Sequence, residues 1–340
     1  DGSKWTFDTA SFLSDSPKKT IKKVLERYCF VRKKLYIILF MLWGCVCISK
    51  AQYDPSFSHY FDMETSFNPA AVGKQSKLNV VAAYALDFAG FEHNPQTAYL
   101  SADMPFYALK SFHGVGAQFQ NDKLGLFTHQ KLGLQYALRT KLFGGQLGIG
   151  AQVSFLNESF DASKLDVEDA NDPAFATASG NGIDLAAGLY YQRHNWYTGL
   201  SVQHAMAPLI TLGERQELQI DRTYYLTGGY NIQFRSPFLS LRASMLARTD
   251  GTAYRADVTG RLFYQNNGKV LYGGVGYSPT NSVTVLLGGS FHGIVVGYSY
   301  EVYTSAISIG NGSHELFIGY QHDLNLTKKG RNLHKSVRIL

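Results

Sequence analysis

The chain has 340 residues, of which 45% are hydrophobic and 17% are charged. Soluble domains carry roughly 25% charged residues, so the low fraction of charged residues indicates that part of the protein surface does not face water. The 22 Tyr, 22 Phe and 33 Gly favour a β-rich or membrane protein. A mean hydropathy of −0.13 excludes a bundle of membrane-spanning helices.

The net charge of +6 comes from the first 51 residues, which hold 10 Lys and Arg against 4 Asp and Glu, whereas residues 52–340 hold 22 of each kind. A nucleic-acid-binding protein carries its basic surface on the folded domain, so this distribution excludes nucleic acid as a partner. Cys29, Cys45 and Cys47 also precede residue 52. Disulfides and cysteine-bound metals are therefore excluded in the rest of the chain.

Residues 31–51 have the composition of a secretory signal peptide. A cationic stretch at 32–34 precedes a 14-residue apolar run at 35–48. The small residues Ser49 and Ala51 follow, and this arrangement predicts cleavage between Ala51 and Gln52. A membrane anchor is the weaker alternative, because a spanning helix needs roughly 20 apolar residues. Residues 1–30 are interpreted as an upstream extension, either disordered or a gene-model artefact.

From residue 77 onward, polar and apolar residues alternate with the period of a β-strand. In 131–139, for example, Leu132, Leu134 and Leu138 fall on one face, whereas Lys131 and Gln135 fall on the other. Successive side chains of a strand point to opposite sides of the sheet, so the alternation reports two different environments.

The alternating segments number about fourteen and run for about 9–12 residues, near the roughly 9–11 that a tilted membrane strand needs. A soluble sandwich shows the same alternation, but strand length, aromatic content and the signal peptide favour an all-β, transmembrane antiparallel β-barrel in the outer membrane, over residues 77–324. Its apolar face would contact outer-membrane lipid. The predicted strands are 77–88, 95–104, 112–121, 127–139, 143–156, 182–193, 195–205, 221–235, 237–248, 253–265, 269–278, 281–291, 292–303 and 313–324.

The connections predict a topology. If both ends of the barrel lie in the periplasm, the connections after odd-numbered strands face outside, and these include the longest, 157–181 and 206–220. Residues 52–76 are then predicted to be a periplasmic N-terminal segment and residues 325–340 a basic periplasmic tail. The tail could contact a protein partner or anionic lipid, or it could be a frayed end.

No chemical signature predicts a catalytic residue, a metal site or a cofactor. The ten histidines are scattered, and we expect them to be solvated residues at strand ends and turns. An outer-membrane enzyme would need a catalytic triad that the sequence does not advertise. An acidic loop is predicted to be solvated rather than a calcium site, because its spacing departs from that of an EF-hand. Its acidic residues are Asp161, Asp166, Glu168, Asp169 and Asp172.

Two long motifs lie at opposite ends of the mature chain: QYDPSFSHYFDMETSFNPAAVG at 52–73 and GYSYEVYTSAISIGNGSHELFIGY at 297–320. They resemble the opening and closing motifs of the PorP/SprF family of Bacteroidetes, and the resemblance covers essentially all of 52–324. Glu301 departs from the Asp that the family carries there. The matching residues are Asp54, Pro55, Phe57, Ser58, Asn68, Pro69, Ala70, Gly73, Tyr298, Tyr300, Gly312, Ser313, His314 and Glu315.

The resemblance implies a non-enzymatic outer-membrane component of the type IX secretion and gliding-motility machinery. Its implied partners are secreted cargo with a C-terminal sorting domain, and periplasmic secretion-ring or peptidoglycan-linked components. The motif residues are expected to be architectural: Asn68 and Pro69 would shape a periplasmic entry into the first strand, and Glu315 would pair inside the lumen with Arg255 or Arg261. The alternative is an outer-membrane channel for small or hydrophobic solutes.

Overall fold

The computed structural model describes residues 54–161, 177–213, 216–279, 281–304 and 311–325. These residues belong to one compact unit, Ala51–Leu340. The predicted upstream extension, the signal peptide with its cleavage site at Ala51 and Gln52, and most of the acidic loop lie outside the described residues, as does the tail beyond Asn325. No helix in the described part of the chain is long and apolar enough to cross a membrane.

Fourteen antiparallel strands close into a barrel, which confirms the predicted fold class. Neighbours along the chain pair throughout, and the last strand pairs with the first, with Ala82 opposite Ile318. A separate two-stranded hairpin, Leu209–Leu212 paired with Gln216–Gln219, lies in the connection between the seventh and eighth strands of the barrel. The strands are β1 (Lys77–Leu86), β2 (Gln96–Ala108), β3 (Ser111–Leu124), β4 (Phe127–Leu142), β5 (Gly145–Phe160), β6 (Ala178–Arg193), β7 (Trp196–Gln203), β8 (Leu209–Leu212), β9 (Gln216–Gln219), β10 (Thr223–Gln233), β11 (Leu239–Thr249), β12 (Tyr254–Asn266), β13 (Lys269–Ser278), β14 (Ser282–Phe291), β15 (Ile294–Tyr303) and β16 (Ser313–Asp323).

The two faces of the barrel wall are the two environments that the alternation predicts. On β4, Leu132 and Leu134 are exposed on the outer surface at 52% and 65%, whereas Lys131 and Gln135 are buried in the lumen. The same division continues around the wall. An uninterrupted apolar outer surface of this extent requires lipid rather than water around it.

The two ends of the barrel differ in their connections. At one end, two-residue turns join all strand pairs connected there except β10 and β11, as at Asn267-Gly268, where both residues have positive φ. At the other end lie the longer connections, such as 87–95 and 204–222. We refer to these as the short-turn end and the long-loop end. In outer-membrane barrels the short turns face the periplasm.

The hairpin of β8 and β9 folds inward at the long-loop end, and the sequence did not predict it. Ile210 and Leu212 are buried against Leu156, a lumen-facing residue of β5. Gly182 faces Ile210, and a Cβ there would come within 3.0 Å of the Ile210 side chain. Four-residue strands are too short to show a clear alternation, which is why the pattern misses them.

Residues 54–76 run through the lumen, which corrects the predicted periplasmic location. The segment starts at Asp54 beside the long-loop end and reaches the short-turn end, where the Ser76 carbonyl accepts a hydrogen bond from Leu324. It contains two short 3-10 turns, Glu64–Ser66 and Pro69–Ala71. We refer to 54–76 as the lumen plug. Its location has a physical reason, because the inward polar side chains of the wall need hydrogen-bonding partners once they are buried.

Candidate functional site inside the barrel

The first contact region of the plug is a charged cluster near the long-loop end, which we call the outer latch. Its residues are Asp54 from the plug and Lys131, His204, Tyr225 and Arg248 from the wall. Asp54 Oδ1 lies 3.1 Å from His204 Nε2 and 3.6 Å from Lys131 Nζ, and Tyr225 donates to Asp54 Oδ2 at 2.7 Å. Arg248 donates to the backbone carbonyls of Asp54 and Pro55 at 2.8 and 3.0 Å.

The electrostatics of the outer latch favour a charged Asp54. Burial by itself raises the pKa of Asp54, but Lys131, His204 and the hydrogen bond from Tyr225 together hold that pKa well below its usual value. Burial has the opposite effect on His204 and lowers its pKa. The contacts of His204 with Asp54 and Asp184 raise that pKa by more, so the pKa of His204 lies above its usual value. The outer latch therefore holds a carboxylate between cations.

The second region joins the plug to the last strand. Glu315 on β16 accepts hydrogen bonds from the backbone of Ser58 and His59 at 2.6 and 3.0 Å, and its Oε1 lies 2.6 Å from His59 Nδ1. The His59 ring stacks on Phe317 with ring centroids 5.4 Å apart. The opening and closing sequence motifs thus meet in the lumen, 256 residues apart along the chain.

The predicted pairing of Glu315 with Arg255 or Arg261 is wrong. Arg255 instead donates to Asp257 at 3.0 Å and to Glu301 at 3.0 Å. Arg261 lies over the ring of the plug residue Phe61, 3.2 Å from its centroid. Both guanidiniums thus have nearer partners, on the wall for Arg255 and on the plug for Arg261, whereas Glu315 binds the plug backbone and the His59 ring.

The third region is a seat of wall glycines for the Asn68-Pro69-Ala70 turn. Asn68 caps this 3-10 turn, because its Oδ1 accepts from Ala70 N at 2.9 Å, and its Nδ2 donates to the Leu189 carbonyl at 3.1 Å. The wall has glycines where the turn approaches it, because a side chain there would collide with the turn. A Cβ on Gly150 would come within 2.5 Å of Ala70 Cα. The glycines of this seat are Gly148, Gly150 and Gly188, which face the turn itself, and Gly114, which faces Val72 and Gly73 directly after it.

Two polar side chains fix the end of the plug at this seat. Arg139 on β4 donates to the carbonyls of Ala70 and Val72 at 2.9 and 2.8 Å. Asp103 on β2 accepts from Gly73 N at 2.8 Å. Gly73 has φ of +62°, a conformation that favours glycine, and a Cβ there would come within 2.7 Å of Gly114 Cα. The chain can therefore turn against the wall only at a glycine.

Comparison with known proteins bears on this site, because the residues of both motifs meet in it. Residues 49–320 match the family of the type IX secretion system membrane protein PorP/SprF. The chain belongs to the PorP/SprF family. No sequence match was found among curated proteins.

Solved structures similar to this PorP/SprF barrel are membrane barrels with low identity. The CymD monoaromatic hydrocarbon channel is 12% identical with a TM-score of 0.48, over 78% of this chain and 94% of that chain. The P. putida toluene transporter TodX is 11% identical with a TM-score of 0.40, over 76% and 93%. The KdgM porin is 10% identical with a TM-score of 0.33, over 73% and 99%. At this level of similarity, the functions of these proteins are not assigned to this chain.

The remaining residues of the closing PorP/SprF motif lie at the long-loop end of the wall. Tyr298 Oη lies 2.7 Å from His314 Nδ1, and the Tyr300 ring packs near the same imidazole with centroids 5.0 Å apart. Ser313 Oγ accepts a hydrogen bond from the Phe88 backbone at 3.2 Å. Gly312 has φ of +75° in the connection before β16. These contacts join the beginning of β16 to β15 and to the connection after β1.

Sequence reasoning missed several residues of this site. The expectation of solvated histidines is wrong for His59, His113 and His204, which are buried. Alternation turns Lys131 and Arg248 inward, but it does not reveal that both face Asp54. Because a buried charge needs a partner, two inward cations indicate that an acceptor or an opposite charge lies in the lumen, but they do not identify the residue that supplies it. Within the described ranges, no group of three or more His, Cys, Asp or Glu is arranged to hold a metal ion.

Asp87, in the connection after β1, predicts a pH dependence of barrel stability. Burial raises the pKa of its carboxyl from 3.8 to about 7, and nearby Glu301 and Glu315 add to the rise. A folded-state pKa above the unfolded value means that the folded barrel binds the extra proton, so stability falls as pH rises from about 4 to about 7. We expect Asp87→Asn to unfold a few degrees higher than wild type at pH 8 and at the same temperature near pH 4.

Thermal unfolding of the detergent-solubilised barrel at both pH values measures this difference. Glu92→Gln, in the same connection but exposed, is the matched control and should leave the pH dependence of wild type unchanged. Equal midpoints for Asp87→Asn and wild type at pH 8 would contradict the assignment.

Proposed function

We propose that this PorP/SprF barrel is a non-enzymatic component of the type IX secretion and gliding-motility machinery that works by binding proteins. It would support export or surface attachment of cargo with a C-terminal sorting domain. The observation that carries the proposal, beyond family membership, is the lumen plug. A lumen occupied along its length by the protein's own chain leaves the outer surfaces as the parts that can act on a partner.

The spaces left beside the lumen plug are small. One cavity lined by Phe61, Lys74 and Asp103 has a volume of about 80 Å³, and another beside Asp54 and Lys131 has about 20 Å³. Cavities of this size hold a few water molecules at most. These volumes support binding of proteins at the surface over passage of a solute through the described lumen.

The long-loop end is the proposed contact for cargo. The hairpin of β8 and β9 is fixed there by its buried face, while Met206 before it and Leu209, its first residue, are more than half exposed, at 54% and 53%. Exposed apolar side chains on a rigid support are typical anchors of protein interfaces. The connection 161–177 also begins and ends at this end of the barrel.

The short-turn end is the proposed contact for periplasmic secretion-ring or peptidoglycan-linked components. Residues 54–76 lie in the lumen, so the lumen plug is not part of this proposed contact. The turns themselves would supply the contact, together with the basic residues beyond Asn325, which are Lys328, Lys329, Arg331, Lys335 and Arg338.

Affinity purification of the tagged barrel from its own outer membrane, read by mass spectrometry, tests the proposed function. We expect co-purification of a large protein with a C-terminal sorting domain or of secretion-ring components. Met206→Glu with Leu209→Glu should reduce cargo recovery at least tenfold, because a charge in an apolar interface core is desolvated without a partner.

Leu109→Glu serves as the control for this pair, because Leu109 is also exposed but lies in the turn between β2 and β3 at the short-turn end. It should leave cargo recovery unchanged. Recovery of the barrel alone under mild crosslinking, together with ion conductance of the wild-type protein, would contradict the proposal and favour the channel.

A further inference from the structure

The short-turn end carries a ring of cations that the lumen plug and the proposed cargo contact do not use. In its turns and adjoining strand ends, the described residues include Asp323 as the only carboxylate, and this lies 3.7 Å from Lys77. The long-loop end differs, with exposed Glu92, Glu217 and Asp221. We define the cationic rim as Lys77, Lys110, Lys141, Arg193, Arg235 and Lys269.

Most cations of the cationic rim have an exposed aromatic neighbour. Lys269 Nζ lies 5.3 Å from the centroid of Phe291, and Arg193 is paired in register with Trp196. Lys141 precedes Phe143, whose side chain is 82% exposed, and Arg235 follows the exposed Phe234. Amphipathic rings and long cationic side chains combine in this way at the depth of lipid headgroups.

Two adjoining clefts lie in one sector of the cationic rim. The first has a volume of about 780 Å³ and is lined by Tyr107, Lys110, Phe112 and Lys141, and on its lumen side by Ser76, Arg139 and Leu324. The second has about 420 Å³ and is lined by Lys141, Arg193 and His194 with the glycines of the β4–β5 turn. Lys141 borders both clefts, which together carry one cation from each of three successive short turns: Lys110, Lys141 and Arg193.

We propose that the cationic rim binds the phosphate headgroups of anionic phospholipid, with its principal site in the two clefts around Lys141. The cations are spaced around the circumference, from β1 to β13, whereas an acidic protein partner would need them on one side. The apolar outer wall begins on the same strands, at Leu138 on the face of β4 opposite to Lys141 and at Leu189, four residues before Arg193 on β6. Acyl chains would therefore lie on that wall while Lys and Arg neutralise the phosphate.

Native mass spectrometry of the full-length, detergent-solubilised barrel tests this site, with phosphatidylglycerol and phosphatidylcholine of identical acyl chains as probes. The tail cations from Lys328 to Arg338 are replaced by Gln in every sample, so that the cationic rim supplies the readout. We expect the barrel to retain phosphatidylglycerol over phosphatidylcholine by at least fivefold, and inorganic phosphate not to displace the lipid, because it lacks acyl chains.

Lys141→Gln should reduce retention of phosphatidylglycerol severalfold, and Lys110→Gln with Lys141→Gln and Arg193→Gln should abolish the preference for it. Lys123→Gln is the matched control, because Lys123 is an exposed lysine near the long-loop end of β3. Equal retention of the two lipids by the parent protein, or equal losses for Lys141→Gln and Lys123→Gln, would overturn the proposal. A triple variant that keeps the lipid but loses a periplasmic protein in affinity purification would identify a protein interface instead.

Discussion

Planar bilayers that contain the wild-type barrel are expected to carry no stable ion current, whereas bilayers with Asp54→Ala should show channel openings. Asp54 is the one plug carboxylate between Lys131 and His204 in the outer latch, and all three side chains are at least nine-tenths buried. Removing one member of a buried charge cluster costs about 3–5 kcal/mol, because the remaining charges keep their desolvation penalty. That penalty shifts the seated-to-released equilibrium of the plug by about a hundredfold or more.

Asp62→Ala is the control for this experiment. Asp62 is also a carboxylate of the lumen plug, but its side chain is 35% exposed and its nearest cation contact, to Arg261, is 3.7 Å long. It should therefore leave the bilayer silent, since a partly solvated pair contributes little. Stable conductance of the wild-type protein, or equal silence of Asp54→Ala in a barrel shown to be folded, would contradict the role of the outer latch.

Gly150→Val is expected to expel the Asn68-Pro69-Ala70 turn from its seat. The first atom of the new side chain would already come within 2.5 Å of Ala70 Cα, and the two methyl groups would extend further into the turn. The conflict involves backbone on both sides, so no side-chain rotation relieves it, and overpacking of this kind costs about 1–3 kcal/mol or more. We expect the wall strands to remain paired, because backbone groups make the hydrogen bonds between them and these do not depend on the side chain at position 150.

Hydrogen exchange read by mass spectrometry measures this effect. Backbone amides of residues 68–74 should exchange at least tenfold faster in Gly150→Val, while those of β11 and β12 should keep their protection. Gly260→Val is the matched control, because Gly260 is also a strand glycine but a Cβ there meets nothing within 4 Å. Unchanged protection of the turn in Gly150→Val would show that the seat is not needed to hold it.

The sequence by itself determined the barrel. Alternation is a local property of each strand, and a wall between lipid and lumen imposes it on every strand in turn, so fourteen strands and the orientation of their faces could be read residue by residue. The two motifs likewise identified the PorP/SprF family. The candidate site was predicted in part, because the motif residues Asp54, Asn68 and Glu315 were identified but their partners were not.

The tertiary structure decided what the lumen contains. Residues 54–76 carry no period that distinguishes a periplasmic segment from a lumen plug, and their partners are distant along the chain: Asp54 and Tyr225 are 171 residues apart. The glycine seat is equally invisible, since Gly114, Gly150 and Gly188 lie on three different strands. Local pattern reports which side of a strand faces inward, but only closure of the barrel determines which inward side chains and which segment of chain occupy the same space.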